Sequence, residues 1–466
     1  MMKNGAVIDA LEITGISSEG KGVGRVDNKV VFVKETAPGD MVKIRITGKR
    51  KGVWEGVKEE IITPSADRTA PFCEHFGLCG GCKWQHLSYE AQLRHKQSHV
   101  EENLKKLSGL SLPKVNSILG SEETTFYRNK LEYTFSNFRW LTKEEIDSGE
   151  EHVRTGLGFH IPKRFDKILN VNKCWLQPDP SNEIRLAVKE FADQHDIPYF
   201  DLKKQDGFLR NLIVRIASTE EVMVILQIAY YDDKLIDKVL SFLKEKFPQI
   251  TSLMYVVNTK GNDSFYDLEV QFFAGNDHIM EQMDDLKFKI GPKSFYQTNS
   301  QQAHELYKIA ADFAGLSGEE LVYDLYTGTG TIANFIARSA KKVIGIEYVD
   351  AAIEDAKVNS EINGITNTEF FAGDMKDMLV NEFINEHGKP DVIITDPPRA
   401  GMHPSVTQLL ADLAVDRIVY VSCNPATQAR DLEVLGQVYD VIKIQPVDMF
   451  PHTQHVENVV LLKLRK

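Results

Sequence analysis

The stretch Glu320-Leu-Val-Tyr-Asp-Leu-Tyr-Thr-Gly-Thr-Gly-Thr331 reads as a short buried strand running into a glycine turn, and a helix is expected over Ile332–Ser339. The same unit recurs downstream. Lys342-Val-Ile-Gly-Ile-Glu347, Thr368-Glu-Phe-Phe-Ala-Gly-Asp374, Asp391-Val-Ile-Ile-Thr-Asp396 and Ile418-Val-Tyr-Val-Ser-Cys-Asn-Pro425 are four further strand-and-turn segments. Short strands alternating with helices make a mostly parallel sheet. Such sheets bind ligands beyond the carboxyl ends of their strands. Asn-Pro after Cys423 forces a turn, so this cysteine stands at the mouth of the sheet, either as an apolar filler or as a nucleophile.

The glycine turn, Gly328-x-Gly330, lacks the third glycine of the dinucleotide fingerprint, which makes NAD a weak reading. Asp324 precedes the turn, Glu347 ends the second strand and Asp396-Pro-Pro ends the fourth. That acidic series suits S-adenosylmethionine, which has a cationic amino-acid end and a ribose whose two hydroxyls Glu347 can accept.

The whole chain has 466 residues, 42% of them hydrophobic, enough for two to four domains with at least one large core. No apolar run of about 18 residues is present and no signal peptide opens the chain, so neither a membrane span nor secretion is expected. The formal net charge of -12 argues mildly against a nucleic-acid partner. Charge is uneven, however: Lys43, Arg45, Lys49, Arg50, Lys51 and Lys58 face a single acid, Glu55, between Met41 and Lys58. A local basic patch on an acidic protein still holds RNA. The five cysteines, odd in number, point away from a disulfide framework and towards a reducing, cytoplasmic setting.

Ahead of the catalytic pattern, residues 1–62 read as five or so short strands closing a small OB-like barrel. Ala6-Val-Ile-Asp-Ala-Leu-Glu-Ile alternates, Gly20-Lys-Gly-Val-Gly24 reads as a tight turn, and Asn28-Lys-Val-Val-Phe-Val33 as a strand. Alternation sets Lys43 and Arg45 on the face opposite Val42, Ile44 and Ile46. Cys73, Cys79 and Cys82 follow with Cys-x5-Cys-x2-Cys spacing around Gly80 and Gly81. Three thiols this close in a reducing compartment ask for a metal. Cys174 is the spare fourth thiol, and zinc has His75 or His86 as alternatives. Four thiolates favour a four-iron, four-sulfur cluster, although zinc obeys the same count. Tyr89–Lys106 is a helix candidate with a solvated charged face. Strands from Phe126 to about residue 290, with helices over 182–195 and 233–247, make an α+β domain over 63–290 that carries the iron–sulfur segment. Arg128, Lys130 and Arg210 stand near its strand starts.

Specific motifs now converge. Ser294-Phe-Tyr-Gln-Thr-Asn299, Asp324-Leu-Tyr-Thr-Gly-Thr-Gly330, Asp396-Pro-Pro-Arg-Ala-Gly401, Tyr420-Val-Ser-Cys-Asn-Pro-Ala-Thr427 and Phe450-Pro-His-Thr-Gln-His-Val-Glu457 resemble the RNA uracil-5-methyltransferases. Gly20-Lys-Gly-Val-Gly-Arg25 and the Val31–Asp40 segment resemble the TRAM domain, a small RNA-binding barrel. The resemblance implies a multidomain chain: a TRAM barrel (1–62), the central domain (63–290) and a Rossmann-like class I methyltransferase domain (291–466). It places the donor site on Gln297, Tyr326, Glu347 and Asp396, with Asp374 near the adenine. It places the cluster on Cys73, Cys79, Cys82 and Cys174. TRAM together with the cluster is similar to the branch acting on 23S ribosomal RNA, with transfer RNA as the alternative, and a monomer is expected.

The chemistry asks for these residue types independently. Uracil C5 is too weak a nucleophile to take a methyl group unaided, whereas thiolate addition at C6 makes an enolate that is strong enough. A base must then remove the C5 proton. The resemblance assigns nucleophile and base to Cys423 and Glu457; His452 and His455 read as loop surface or as residues standing behind the site. The target base must leave its stack to reach them. Rival readings are an amino-methyltransferase, disfavoured by Arg399 where that group carries an aromatic residue, and a non-catalytic RNA-binding iron–sulfur protein.

Overall fold

The computed structural model describes residues 2–465. Strands β1 (Val7–Ile16), β2 (Gly22–Val26), β3 (Lys29–Val33), β4 (Met41–Arg50) and β5 (Val53–Thr63) close a barrel in the order β1-β2-β3-β5-β4. Leu11, Ile13, Val31, Val33, Val42, Ile44 and Ile46 fill its interior, as the alternation of β4 requires. The expected tight turn at Gly20–Gly24 is corrected. Only Gly20 turns, with φ +79°, and strand β2 starts at Gly22, whose added Cβ would lie 2.0 Å from Thr36 Oγ1. The glycine there serves close packing rather than a turn. The basic face is partly neutralised by the barrel's own acids: Lys43 pairs with Asp9 at 3.4 Å and Arg45 with Glu59 at 2.8 Å.

The central sheet comprises β6 (Lys130–Ser136), β7 (Gly156–Ile161), β8 (Arg164–Asn170), β9 (Leu209–Ile216), β10 (Val222–Ile228), β11 (Ile250–Val257) and β12 (Val270–Gly275). Its order is β12-β11-β10-β9-β6-β7-β8. Helices Ser181–Gln194 and Asp233–Lys246 cover one face through Ile184, Val188, Val239, Leu240 and Leu243. From the other face, Ile213, Met223, Ile225 and Met254 join the core of the C-terminal domain. Burial on both faces explains why β10 is a nearly continuous apolar run. The strand expected from Phe126 begins only at Lys130, because Phe126 has left-handed backbone geometry, φ +55°. Arg210 does not face a substrate: it is buried and donates to the backbone oxygens of Asn258, Lys260 and Asn262.

A hairpin, β13 (Ile279–Met283) and β14 (Leu286–Ile290), precedes the last sheet: β15 (Leu321–Leu325), β16 (Lys342–Glu347), β17 (Thr368–Ala372), β18 (Val392–Thr395), β19 (Arg417–Ser422), β20 (Tyr439–Val447) and β21 (Glu457–Leu464). Its order is β17-β16-β15-β18-β19-β21-β20. The first five strands are parallel, and β21 inserts antiparallel between β19 and β20. Among the described residues no helix is long and apolar enough to cross a membrane.

Helix Tyr89–Leu107 is more than a solvated helix. Ser88 caps it, and Gln92, Lys96, Val100 and Leu104, four residues apart on one stripe, are all buried. Lys96 reaches Asp448 at 2.5 Å, both side chains wholly buried, and also donates to the Phe450 carbonyl. Breaking a buried ion pair by removing one partner costs about 3–5 kcal/mol, since the other charge is left uncompensated. Lys96→Met is therefore expected to lower unfolding free energy by about that amount. Adding Asp448→Asn should recover part of the loss. Chemical denaturation of both variants checks this, and strictly additive losses would exclude the coupling.

Candidate active site

Strand register explains how distant residues reach one edge. Leu325 pairs with Ile346 on one side and Thr395 on the other, so Tyr326, Glu347 and Asp396 emerge side by side. Glu347 in turn pairs with Ala372, two residues before Asp374. On the far side Ser422 pairs with Asn458. Cys423 follows Ser422 and Glu457 precedes Asn458, and the Glu457 carboxylate is near enough to act on the Cys423 thiol, a proximity that sequence spacing alone did not provide. Five of the residues expected to act thus lie along a single sheet edge, with Asp374 just beyond it.

The donor side of the cleft is built around the glycine turn. Tyr326 has a left-handed backbone, φ +63°, an outlier for an aromatic residue and of the kind that functional sites retain. Gly328, at φ +55°, has nothing within 4 Å of an added Cβ, so the turn leaves open space there. Its N–H donates to Glu347 Oε2 at 3.2 Å. Asp374 caps a short helix by accepting from the Lys376 N–H. Gln297 is half-buried, and its carbonyl accepts from Asn129 Nδ2 at 2.8 Å. Thr329 Oγ1, in the glycine turn, donates to the Phe295 carbonyl. These bonds place the Gln297 segment against the turn. Asp324 is the informative group. Its Oδ2 accepts from Thr327 Oγ1 and the Ala333 N–H, while Oδ1 is buried with no partner. An unpaired buried carboxylate oxygen beside an open glycine turn fits the cationic amino-acid end of S-adenosylmethionine.

Electrostatics divides the roles. Burial pushes the Cys423 thiol up to about 12; the nearby Glu457 and Asp396 carboxylates add to this and Arg399 opposes it. Burial raises Glu457 to about 8, with Asp396 adding and Arg399 subtracting. Asp396 and Asp324 are raised to about 7, again chiefly by burial. A thiol with a neighbouring carboxyl titrating near neutrality has a proton acceptor at hand. Arg399 is exposed, and only its backbone oxygen is used locally, accepting from Asn424 Nδ2 at 3.0 Å.

The loop before Glu457 is buried: His452, 6% exposed, is not loop surface, which leaves the other reading, a residue standing behind the site. His452 N donates to Gln92 Oε1, and its carbonyl accepts from the Lys83 and Trp84 N–H groups. Tyr127 Oη donates to the Pro451 carbonyl. Lys96, Gln92, Tyr127 and Asp448 hold this loop, and sequence reading missed them. The available signal was Lys96 and Gln92 lying on the apolar stripe of their helix.

Cys73, Cys79, Cys82 and Cys174 all line one cavity of about 320 Å³. Among the described residues no three His, Cys, Asp or Glu side chains converge on a position for a single metal ion. His75 Nε2 accepts from the Asn172 N–H, and His86 Nε2 meets the Thr36 carbonyl, so both rings are engaged elsewhere.

Comparison with known proteins follows the same outline. Residues 268–465 match the tRNA (Uracil-5-)-methyltransferase family and residues 3–57 the TRAM domain. An uncharacterized RNA methyltransferase of Bacteroides thetaiotaomicron is 56% identical over 97% of this chain and 100% of its own length. One of Porphyromonas gingivalis is 54% identical, covering 97% and 99%. The crystal structure of Pyrococcus abyssi tRNA (uracil-54, C5)-methyltransferase with S-adenosyl-L-homocysteine is 30% identical, covers 97% and 99% of the two chains, and superposes with a TM-score of 0.76.

The raised carboxyls set a pH dependence with a definite sign. Asp324 and Asp396 hold their protons up to about 7 in the folded chain, against an ordinary value of 3.8. Their contribution to stability is present below pH 4 and is lost as pH rises through 7. A cation in the cleft needs them ionised, so its affinity runs the other way. S-adenosylmethionine is expected to bind more weakly as pH falls from 8 to 6, by up to about tenfold per unit for each proton involved. Titration calorimetry in buffers of differing ionisation enthalpy reads the proton release. A pH-independent affinity, or Asp396→Asn leaving the slope unchanged, would remove these carboxyls from the donor site.

Proposed function

Because the chain belongs to the RNA (uracil-5-)-methyltransferase family, whose members depend on S-adenosylmethionine, we propose that it methylates C5 of a uridine in 23S ribosomal RNA, with Cys423 as nucleophile and Glu457 as base. The carrying observation is the register of β19 against β21, which sets the thiol beside the raised carboxyl. In the proposed sequence the thiol gives its proton to solvent water, leaving Glu457 free for the later step, and its sulfur bonds to uracil C6 as the C5–C6 π pair moves onto C5 and O4 as an enolate. The methyl group, supplied by the bound sulfonium donor, bonds to C5. Glu457 takes the C5 proton, and the electron pair released expels the Cys423 thiolate. Burial favours the neutral thiol until these partners are in place, which limits unproductive reactions. Gln297, Tyr326, Glu347, Asp374, Asp396 and Asp324 hold and orient the donor.

The choice of 23S RNA rests on the TRAM-plus-cysteine arrangement. A transfer RNA reading is favoured by the Pyrococcus enzyme, which aligns along the whole chain and whose substrate is transfer RNA. Incubation with labelled donor and RNA from a strain lacking the protein should place 5-methyluridine in 23S RNA; label confined to transfer RNA would reverse the assignment. Cys423→Ala should transfer no methyl and form no adduct while still binding donor and RNA. Glu457→Gln should accumulate a methylated protein–RNA adduct that survives denaturation. An active Cys423→Ala enzyme, or an adduct on another cysteine, would overturn the mechanism.

The cavity lined by Cys73, Cys79, Cys82 and Cys174 fits a four-iron, four-sulfur cluster, which needs one thiolate per iron spread around a body rather than four on one point. Held there, it supplies a structural clip between residues 73–82 and Cys174 and takes no part in methyl transfer. Anaerobically purified protein is expected to be brown with about four irons per chain. Cys174→Ser should lose the iron and Cys423→Ala should keep it. Stoichiometric zinc in place of iron would refute the cluster.

A further inference from the structure

Three aromatic side chains and a lysine form a surface that the methyl-transfer chemistry does not use. Phe72 is 40% and Phe126 37% exposed, large fractions for apolar rings. Both pack on Trp175, with ring centroids 5.7 Å and 5.6 Å away. Lys173 sets its ammonium 3.9 Å from the centre of the Trp175 ring and 5.9 Å from that of Phe126. The group is rigid. The Phe126 N–H donates to the Trp175 carbonyl at 2.7 Å, and Phe126 is held at φ +55°. A bulky residue in that region is strained and persists where its surroundings over-determine it.

Position supplies the functional argument. The Phe72 ring lies edge-on to His452, centroids 5.0 Å apart, and Tyr127, next to Phe126, donates to the Pro451 carbonyl. His452 and Pro451 belong to the loop that leads into Glu457, so this aromatic group packs against the approach to that residue. Flipping one uridine breaks the stack on both sides of it, and unpaired RNA bases are held by stacking on aromatic rings. Lys173 adds a positive charge where the adjoining phosphate would lie. A protein partner would favour the apolar rings alone; the cation beside them and the loop to Glu457 behind them favour a nucleotide.

We propose that Phe72, Phe126 and Trp175, with Lys173, form a stacking platform for an unpaired base flanking the flipped uridine. This rests on the reading that the Cys423–Glu457 site acts on an extruded uridine. Phe126→Gly is the sharpest variant, because glycine accepts the left-handed backbone and only the ring is lost. The probe is a single-stranded oligouridine of about nine nucleotides, intact or with one abasic position beside the central uridine. Phe126→Gly and the abasic substitution should each weaken binding about five- to a hundredfold. Together they should cost little more than either alone, at one flanking position only. Lys173→Gln should lower the salt slope by about 0.7, whereas Phe126→Gly should leave it unchanged. Losses that multiply at every position would overturn the platform, as would iron loss or a lower Tm with unchanged RNA binding, which would make these rings a cover for the cysteine cavity. Methyl transfer by the unaltered enzyme to RNA from the deletion strain is read in parallel. Its absence defeats the uridine reading itself; its presence with no coupling defeats the platform alone.

Discussion

The ion pair between Lys96 and Asp448 lies where water does not reach, and the catalytic half of the molecule is arranged around it. Two charges removed from water lose several kcal/mol of hydration each, recovered only where geometry is good and the remaining polar sites are filled. Here they are filled. Asp448 also accepts from Tyr89 Oη and from the Phe450 N–H, and Lys96 donates to the Phe450 carbonyl. Such a network has one satisfactory arrangement, and that arrangement determines the path of the loop from Asp448 to His455. Glu457, which begins β21 just beyond, inherits its place from that path and from its strand register.

The same loop joins parts of the chain that are distant in sequence. The Lys83 and Trp84 N–H groups, immediately after Cys82, donate to the His452 carbonyl, and Trp84 Nε1 donates to the Gly20 carbonyl in the barrel. Tyr127 reaches it from the central domain. A group clipping Cys82 to Cys174 would bear on the His452 carbonyl, in the loop that leads into Glu457, through one peptide unit and one hydrogen bond. That gives a structural cluster a physical route to the active site without a chemical role.

Low dielectric governs the pocket. Asp324, Asp396 and Glu457 are all raised towards neutrality, chiefly by burial, and Cys423 is raised by the same cause. Groups that are costly to ionise in the free enzyme become acceptors when a cationic donor enters, so binding energy and proton position are coupled. The buried, unpaired Asp324 Oδ1 is consistent with this: it is a cost to the empty cleft that a cationic ligand removes.

The amino-acid sequence by itself determined what local chemistry can determine. Alternation marked the barrel interior at Val42, Ile44 and Ile46, strand-and-glycine units marked the parallel sheet, and motif residues named Cys423, Asp396 and Glu347. Those signals survive because a strand tip, a glycine turn and a buried stripe are each set within a few residues. Only the tertiary structure decided which residues meet. The antiparallel insertion of β21 brings the Glu457 carboxylate near the Cys423 thiol, and packing of helix 89–107 on the C-terminal domain buries Lys96 against a carboxylate more than three hundred residues away. Gly22 and Phe126 were misread for a related reason, since each owes its conformation to a partner, Thr36 or Trp175, that is remote in sequence. Periodicity reports which face of an element is buried; it carries no information about what lies on the other side of the contact.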